Sequence, residues 1–385
     1  MKLKILVFLL CSSWVFSQNQ FPKLSEAAEI SILTFGTGKH LNDAFGHSGI
    51  RVKDSVTNLD VVFNYGVYDF DTPNFYTKFA QGRLNYKMGA NYTSSLLEYY
   101  KRQNRSIKEQ VLNFNFNENL GLYNYLLNNY KPQNRYYLYD FFYDNCATKI
   151  KDVSNKALDY KITYEIPEGV TNASFRNYIH KQVYWNSWGR LGIDLALGAK
   201  IDQPTTPEKA MFLPKYIHEF FRVAKINGKP LIKEESTLFK PAPTQNKAIN
   251  IFWSPLFVLS CMSILILWLT WKDFKYQKRR KWIDVFLFLI TGTVGIILLL
   301  LWFATDHKTT ANNYNLLWGF PLNLLIIPTL LKNKLYGWVV NYTKLLLICL
   351  VLLCVHWISG VQNFPMVIIP LLIAISSRYL FLLKH

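Results

Sequence analysis

Cysteine is scarce in this chain, with five among 385 residues. Only one of them, Cys146, falls between residues 18 and 248. A disulfide inside that stretch is therefore excluded. Acidic residues are also few, 25 Asp and Glu against 43 Lys and Arg, for a formal net charge of +18. Such an excess can mark nucleic-acid binding, but no RNP, helix-turn-helix or zinc-finger pattern is present. Much of the positive charge lies in short stretches between hydrophobic runs, where membrane topology accounts for it, and the rest suits an anionic leaflet. Metal-ligand spacings are missing too. No metal, no cofactor and no nucleic-acid partner are expected.

What the chain has in quantity is apolar sequence, unevenly placed. From about residue 251 to residue 383 it is almost continuously hydrophobic, whereas 18–248 is polar, tyrosine-rich and mixed in charge. Five runs approach the roughly 20 residues that a spanning helix needs: 251–271, 282–304, 314–331, 338–358 and 365–383. The strongly basic stretch 272–281 should be cytoplasmic. If all five runs span, Lys332, Lys334 and Lys384 fall on that same side and the C-terminus is cytoplasmic. The loop 305–313 and the turn near Gln362 then face outward with 18–248. Tyr and Trp near the run ends read as interfacial anchors.

The N-terminus agrees with this orientation. Met1-Lys2-Leu3-Lys4 is a basic n-region, Ile5–Leu10 is too short to span, and Val15-Phe16-Ser17 offers a cleavage site. Lipid attachment at Cys11 is the alternative, although Leu9-Leu10 departs from the small residues that signal needs. The expected organisation is a signal peptide at 1–17, an extracytoplasmic domain at 18–248 and an all-α, polytopic membrane domain at 249–385. Cys146 thus faces an oxidising compartment unpaired, a liability unless it is buried or used.

Residues 29–35 alternate like a strand, and His47 opens a second, short one. A turn at 54–58 leads to a third at 60–66, so the hairpin puts His47 and Asn64 on neighbouring strands. Helical apolar spacing recurs at 93–103 and 118–130. Asp144 or Asn145 makes a good N-cap, which places Cys146 in the first turn of a helix. The helix N-terminus is expected to lower its pKa. A thiolate there needs an imidazole to carry its proton and a polar group to fix the imidazole tautomer. By residue type, Cys146, His47 and Asn64 supply the three, with His40 and His180 as competing bases.

The order His-Ser-Gly-Ile-Arg-Val, a strand with a polar residue, then Asp-Asn-Cys opening a helix resembles the circularly permuted NlpC/P60-like form of the papain-like α+β fold. A narrower likeness rests on Phe45-Gly46-His47-Ser48, Val62-Phe63-Asn64-Tyr65-Gly66, Asn134-Arg135-Tyr136, Tyr139-Asp140-Phe141-Phe142, Asp144-Asn145-Cys146 and Asp194-Leu195-Ala196-Leu197-Gly198. These segments resemble the periplasmic domain of the Lnb-type lipoprotein N-acyltransferases of Bacteroidota, and the five-run tail is similar to that family as well.

The resemblance implies a multi-pass protein of the bacterial inner membrane. Its activity would be a cysteine-dependent transfer of an acyl chain from a membrane phospholipid to the α-amine of a diacylated lipoprotein N-terminus. The nucleophile then falls on Cys146 and the histidine on His47, with Asn64 third by fold analogy. Asp140 and Asp144 are alternatives for orienting His47, or else caps alongside Asn145, and Arg51 and Arg135 are either headgroup ligands or structural ion-pair partners. The loop that holds Asp306 and His307 could line the path of the lipid. Two other readings stay open: a membrane-anchored cysteine peptidase or amidase acting on peptidoglycan, and a non-catalytic scaffold with Cys146 merely buried.

Overall fold

A computed structural model of the chain describes residues 21–243 and 250–384. The expected signal peptide and Cys11 lie outside those residues. Seven strands form one antiparallel sheet: β1 Glu29–Phe35, β2 His47–Asp54, β3 Leu59–Val67, β4 Asn85–Tyr92, β5 Ile107–Leu112, β6 Tyr136–Leu138 and β7 Ile232–Phe239. Their spatial order is β7-β5-β1-β2-β3-β4-β6. The hairpin β2–β3 closes through Asp54, whose carboxylate accepts from the backbone of Val56 and Thr57. Its register sets Gly49 opposite Asn64, which leaves His47 and Asn64 on the same face.

Seven helices cover the sheet and its margins: α1 Phe75–Ala80, α2 Thr93–Arg102, α3 Phe116–Tyr130, α4 Cys146–Ala157, α5 Phe175–His180, α6 Trp188–Ala196 and α7 Pro214–Val223. On one sheet face Ile30, Ile32, Ile50, Val52, Val61 and Phe63 pack with buried residues of α3, α4 and α7. On the other, Leu33, Phe35, Val62 and Ile107 meet Tyr100, Leu96 and Leu97 of α2. Each strand's alternation therefore feeds two apolar layers. Helix α3 starts at a capping box in which Asn115 and Glu118 each bond the other's backbone N–H.

The apolar half of the chain forms a bundle. Three of its helices, α8 Pro255–Tyr276, α9 Lys281–Phe303 and α11 Gly337–Ile358, are long and apolar enough to cross a membrane. The run at 314–331 departs from the expected continuous helix, because a short turn, Tyr314–Leu317, is followed by α10 Asn323–Leu330, only eight residues. Gly319, Phe320 and Pro321 break it where their backbone lies against Gly295 of α9, at 2.4–2.8 Å from where a Cβ would stand. The last run is a turn plus α12 Ile369–Leu382, of 14 residues. Helix α8 also outlasts its expected end, since Lys272 folds back with its ammonium 3.8 Å from the Trp268 ring.

Contacts at the run ends show how the bundle is threaded. At one end Arg378 of α12 bridges Asp284 of α9 at 2.6 Å and Asp273 of α8 at 2.7 Å, all three side chains fully buried. Arg279 joins the same cluster through Asp284, and its guanidinium also bonds the carbonyl of Leu330. At the other end lie the loop 304–313 and the turn 359–365, joined where Gln362 accepts from the backbone of Tyr314. The three long helices and the two broken runs thus start and stop at common ends.

That second end carries the sheet domain. Gly198 and Ala199 donate backbone hydrogen bonds to Thr309 and Asn312, each at 2.9 Å. Asn313 and Asn315 donate to the carbonyls of Leu195 and Asp194 at the end of α6. Asp194 itself is buried under Arg176, His180 and Arg190. The motif Asp194–Gly198 is therefore a clasp on the membrane bundle. A Cβ on Gly198 would stand 2.0 Å from the Ala311 carbonyl oxygen, and backbone there has no room to yield. Gly198→Val should separate the two parts while leaving the sheet domain folded. A disulfide engineered by replacing Arg83 and Asp306, paired at 2.7 Å across the same junction, with cysteines should form at least tenfold more slowly in that variant.

Candidate active site

Helix α4 begins at Cys146 because Asn145 caps it. The Asn145 side-chain oxygen accepts from the backbone of Ala147 and Thr148 at 2.8 and 2.9 Å, and Thr148 returns the bond to Asn145 N–H. The Asn145 amide also donates to the carbonyls of Phe141 and Phe212, which ties the helix start to the chain before it and to the segment ahead of α7. Cys146 then sits under the end of the β2–β3 pair, 9 % exposed, beside Gly66. The backbone N–H groups of Ser48, Ala147 and Cys146 favour its thiolate, but burial is the larger effect and pushes the thiol up to about 11. The lowered pKa expected from the helix start is thus overturned: partial charges at a helix end do not offset removal of the sulfur from water.

His47 follows Gly46, which turns the chain at a φ of 80°. A Cβ at Gly46 would stand 2.8 Å from the Phe35 carbonyl, so only glycine lets β2 begin there. The imidazole lies beside the stacked pair of Phe35 and Tyr100, with their ring centroids 6.1 and 6.3 Å away. Burial and the charge of Arg105 lower its pKa to about 4, against a smaller opposing pull from Asn64. Asn64 donates its amide N–H to the Asn91 side-chain oxygen at 2.8 Å, which leaves its own oxygen to face His47. That arrangement fixes one ring nitrogen as the N–H and leaves the other to accept. The register of β3 and β4 shifts between Asn64 and Val67, so a bulge ends regular pairing at this point.

Arg105 completes the surroundings. It is 3 % exposed, stacks on Tyr100 at 4.7 Å, donates to the Gly36 carbonyl at 2.8 Å and pairs with Asp43 at 3.2 Å. One guanidinium nitrogen, Nη2, is buried without a hydrogen-bond partner among the described residues. Its charge acts on both Cys146 and His47, favouring the thiolate and disfavouring the imidazolium. No motif pointed to it, since Asn104-Arg105-Ser106 reads as an ordinary turn between a helix and a strand.

The other expected site residues are occupied elsewhere. Asp140 closes a turn by accepting from Phe142 and Tyr143, and Asp144 pairs with Lys149 at 2.7 Å, so neither orients His47. Arg51 is bidentate on Asp60 and also holds Glu109 at 2.9 Å, a structural role. Arg135 lies over the rings of Tyr130 and Tyr136. His180 is bound by Asp194 in the clasp, and His40 starts a short helical turn before β2. The bundle loop comes closer to the site. Lys308 sits 6.0 Å from the ring of Tyr143, three residues before Cys146, while Asp306 pairs with Arg83 and His307 packs on Gly82.

Comparison with protein families matches residues 19–172 to the Lnb N-terminal periplasmic domain and residues 246–385 to the Lnb transmembrane domain. The chain is an Lnb-type protein. No curated protein and no solved structure matches it. As an Lnb-type protein it is an inner-membrane protein with a periplasmic N-terminal domain, and the two matches support a lipoprotein N-acyltransferase-like function. The matched periplasmic segment holds His47, Asn64, Arg105 and Cys146 together.

Two measurements test the charge state of this Lnb site. Alkylation of Cys146 by iodoacetamide in the folded, full chain should still be accelerating at pH 9 and reach half its limiting rate near pH 11. Arg105→Met should move that midpoint upward and Arg105→Lys should restore most of it. The second concerns stability. His47 stays neutral in the fold down to about pH 4, while an unfolded chain protonates it near 6.5. Unfolding therefore takes up a proton between those values, and stability falls as pH drops through that window, by up to about 3 kcal/mol for this group. His218, also lowered to about 4 by burial, contributes the same sign. Melting temperature followed from pH 7 to pH 4 should fall less steeply in His47→Gln and in His218→Gln than in the parent chain.

Proposed function

We propose that this protein transfers an acyl chain from a membrane phospholipid, through a thioester on Cys146, to the α-amine of a lipoprotein's lipidated N-terminal cysteine. The observation that carries the reading is a buried thiol at a capped helix start, beside a neutral imidazole oriented by an amide, seated on the end of a membrane bundle. The order histidine, polar strand residue, cysteine is that of a circularly permuted papain-like domain, and this fold is part of the proposal.

In the first half-reaction the Cys146 thiol proton passes to His47 as the sulfur attacks the ester carbonyl. The carbon–oxygen bond then breaks, His47 returns the proton to the departing alkoxide, and a lysophospholipid leaves. In the second, the α-amine attacks the thioester and gives a proton to His47. The carbon–sulfur bond breaks and the sulfur takes that proton back. Because thiol and imidazole both rest neutral, the proton moves as the nucleophile engages rather than beforehand. The Asn145 cap takes the N–H groups of Ala147 and Thr148, so the Cys146 backbone N–H and the Nη2 of Arg105 are the donors available to the oxyanion. The bundle end beside the sheet domain is the periplasmic one, which puts the basic 277–281 stretch and the C-terminus in the cytoplasm by the charge asymmetry of the loops.

The test is mass spectrometry of lipoprotein N-termini in cells that carry the parent chain or Cys146→Ala. The variant should leave the N-terminal amine free, one acyl chain fewer than with the parent. Unchanged acylation would sink the reading, and altered peptidoglycan fragments in its place would point to a peptidase.

A further inference from the structure

The segment between β3 and β4 presents aromatic rings that the sheet domain does not use. Tyr68, Phe70, Tyr76 and Phe79 are 39, 64, 78 and 54 % exposed within twelve residues. On a surface bathed in water such a cluster is unusual. Its location explains it. The Gln81 carbonyl accepts from the backbone of Asp306, the Phe79 carbonyl lies 3.2 Å from the His307 ring, and Arg83 pairs with Asp306. All of these are on the loop that leaves the end of α9, whose last residue, Phe303, is 71 % exposed with Trp302 stacked on it. A second set of exposed aromatics, Trp185, Trp188, Phe252 and Trp253, marks the same end of the bundle at the start of α8. Both sets stand where aromatic side chains gather in membrane proteins, at the level of the headgroups.

The rings continue inward. Phe70 meets Phe75 at 4.8 Å and Tyr68 at 5.1 Å, Tyr68 meets Tyr86 at 5.4 Å, and Tyr86 stacks on Tyr139 at 4.4 Å. Tyr139 and the Cys146 Cβ flank the same spot over Gly66, 3.6 and 3.8 Å from where a Cβ would stand. An unbroken line of rings therefore runs from exposed Phe70 to Tyr139 beside Cys146.

We propose that residues 68–86 are a membrane-embedded aromatic ramp that holds one acyl chain of a bilayer lipid. Phe70, Tyr76 and Phe79 sit among the leaflet's chains, and Tyr68, Tyr86 and Tyr139 cover the chain as its ester rises to Cys146. The ramp rests on the acyl-transfer reading for its purpose. Its physical logic is that methylenes drawn out of a leaflet meet rings instead of water.

The test uses the full chain with Cys146→Ala in phosphatidylethanolamine–phosphatidylglycerol vesicles, so lipid contact is read without turnover. The photo-crosslinking residue p-benzoylphenylalanine replaces Phe70, Phe79 or Tyr86 in turn, with Tyr160 as control, exposed at 69 % beyond the far end of α4. Irradiation should give lipid adducts on acyl carbons at all three positions and none at 160. Adducts no more frequent than at 160 would overturn the ramp. A second arm, with Cys146 intact, compares Phe70→Ser/Phe79→Ser with the parent. Transfer from vesicle lipid should fall tenfold or more, while transfer from a water-soluble short-chain thioester stays within twofold. Equal loss on both donors would also overturn it. If the parent transfers from neither donor while the adducts form as expected, the acyl-transfer reading fails and the lipid contact stands.

Discussion

Backbone hydrogen bonds from Gly198 and Ala199 to the bundle loop fix the height of the sheet domain above the bilayer, and the position of the site follows from them. Loop 304–313 is held on one side by α6 and its buried Asp194 cluster, and on the other it touches Gly82, Arg83 and Tyr143. Those last contacts lie on the approaches to Cys146. A domain tethered by a flexible linker would sample many heights, each with a different distance between thiol and lipid ester. Backbone pairing removes that freedom, and orientation of this kind is among the larger contributions available to a transfer reaction.

The charge balance of the site turns on burial. A helix start favours a thiolate, and Arg105 favours it further, yet both lose to desolvation, so the thiol stands near 11 and the imidazole near 4. A neutral pair has two consequences in a periplasmic enzyme. A protonated, shielded thiol resists oxidation, which resolves the liability of a lone cysteine in that compartment. On the proposed mechanism, water kept from the sulfur would not readily hydrolyse a thioester on it, so the covalent intermediate would survive until an amine arrives.

Much of this was legible in the sequence where local rules apply. Alternation gave β1, the hairpin gave His47 and Asn64 on neighbouring strands, and the Asp-Asn-Cys run gave the cap and the helix start. What failed to show depends on distant parts of the chain. Arg105 acquires meaning only because β5 lies beside β1 and brings residue 105 under Tyr100. The sequence left Arg51 open between headgroup ligand and ion-pair partner, and Asp144 between orienting His47 and capping, until the fold supplied Asp60, Glu109 and Lys149 as partners. Burial of Cys146, which reverses the effect of the helix start, belongs to the packing of α4 against the sheet and has no local signature.

The broken run at 314–331 ties the membrane block to the same constraint. Hydropathy reads it as one span, but its first part serves the junction: Asn313 and Asn315 are buried and bonded to carbonyls at the end of α6, and Trp318 donates to Asn315. Non-helical backbone at that depth is tolerable because protein, not lipid, surrounds it. Gly295 opposite it lets the chain pass against α9 without a side chain between them. The cost is a short helix, α10, and its far end is held by Arg279 at the buried cluster of Asp273, Asp284 and Arg378. Charges pin the bundle where lipid chains end on one side. On the other side the buried amides of Asn313 and Asn315 pin it, with the exposed Arg83–Asp306 ion pair beside them.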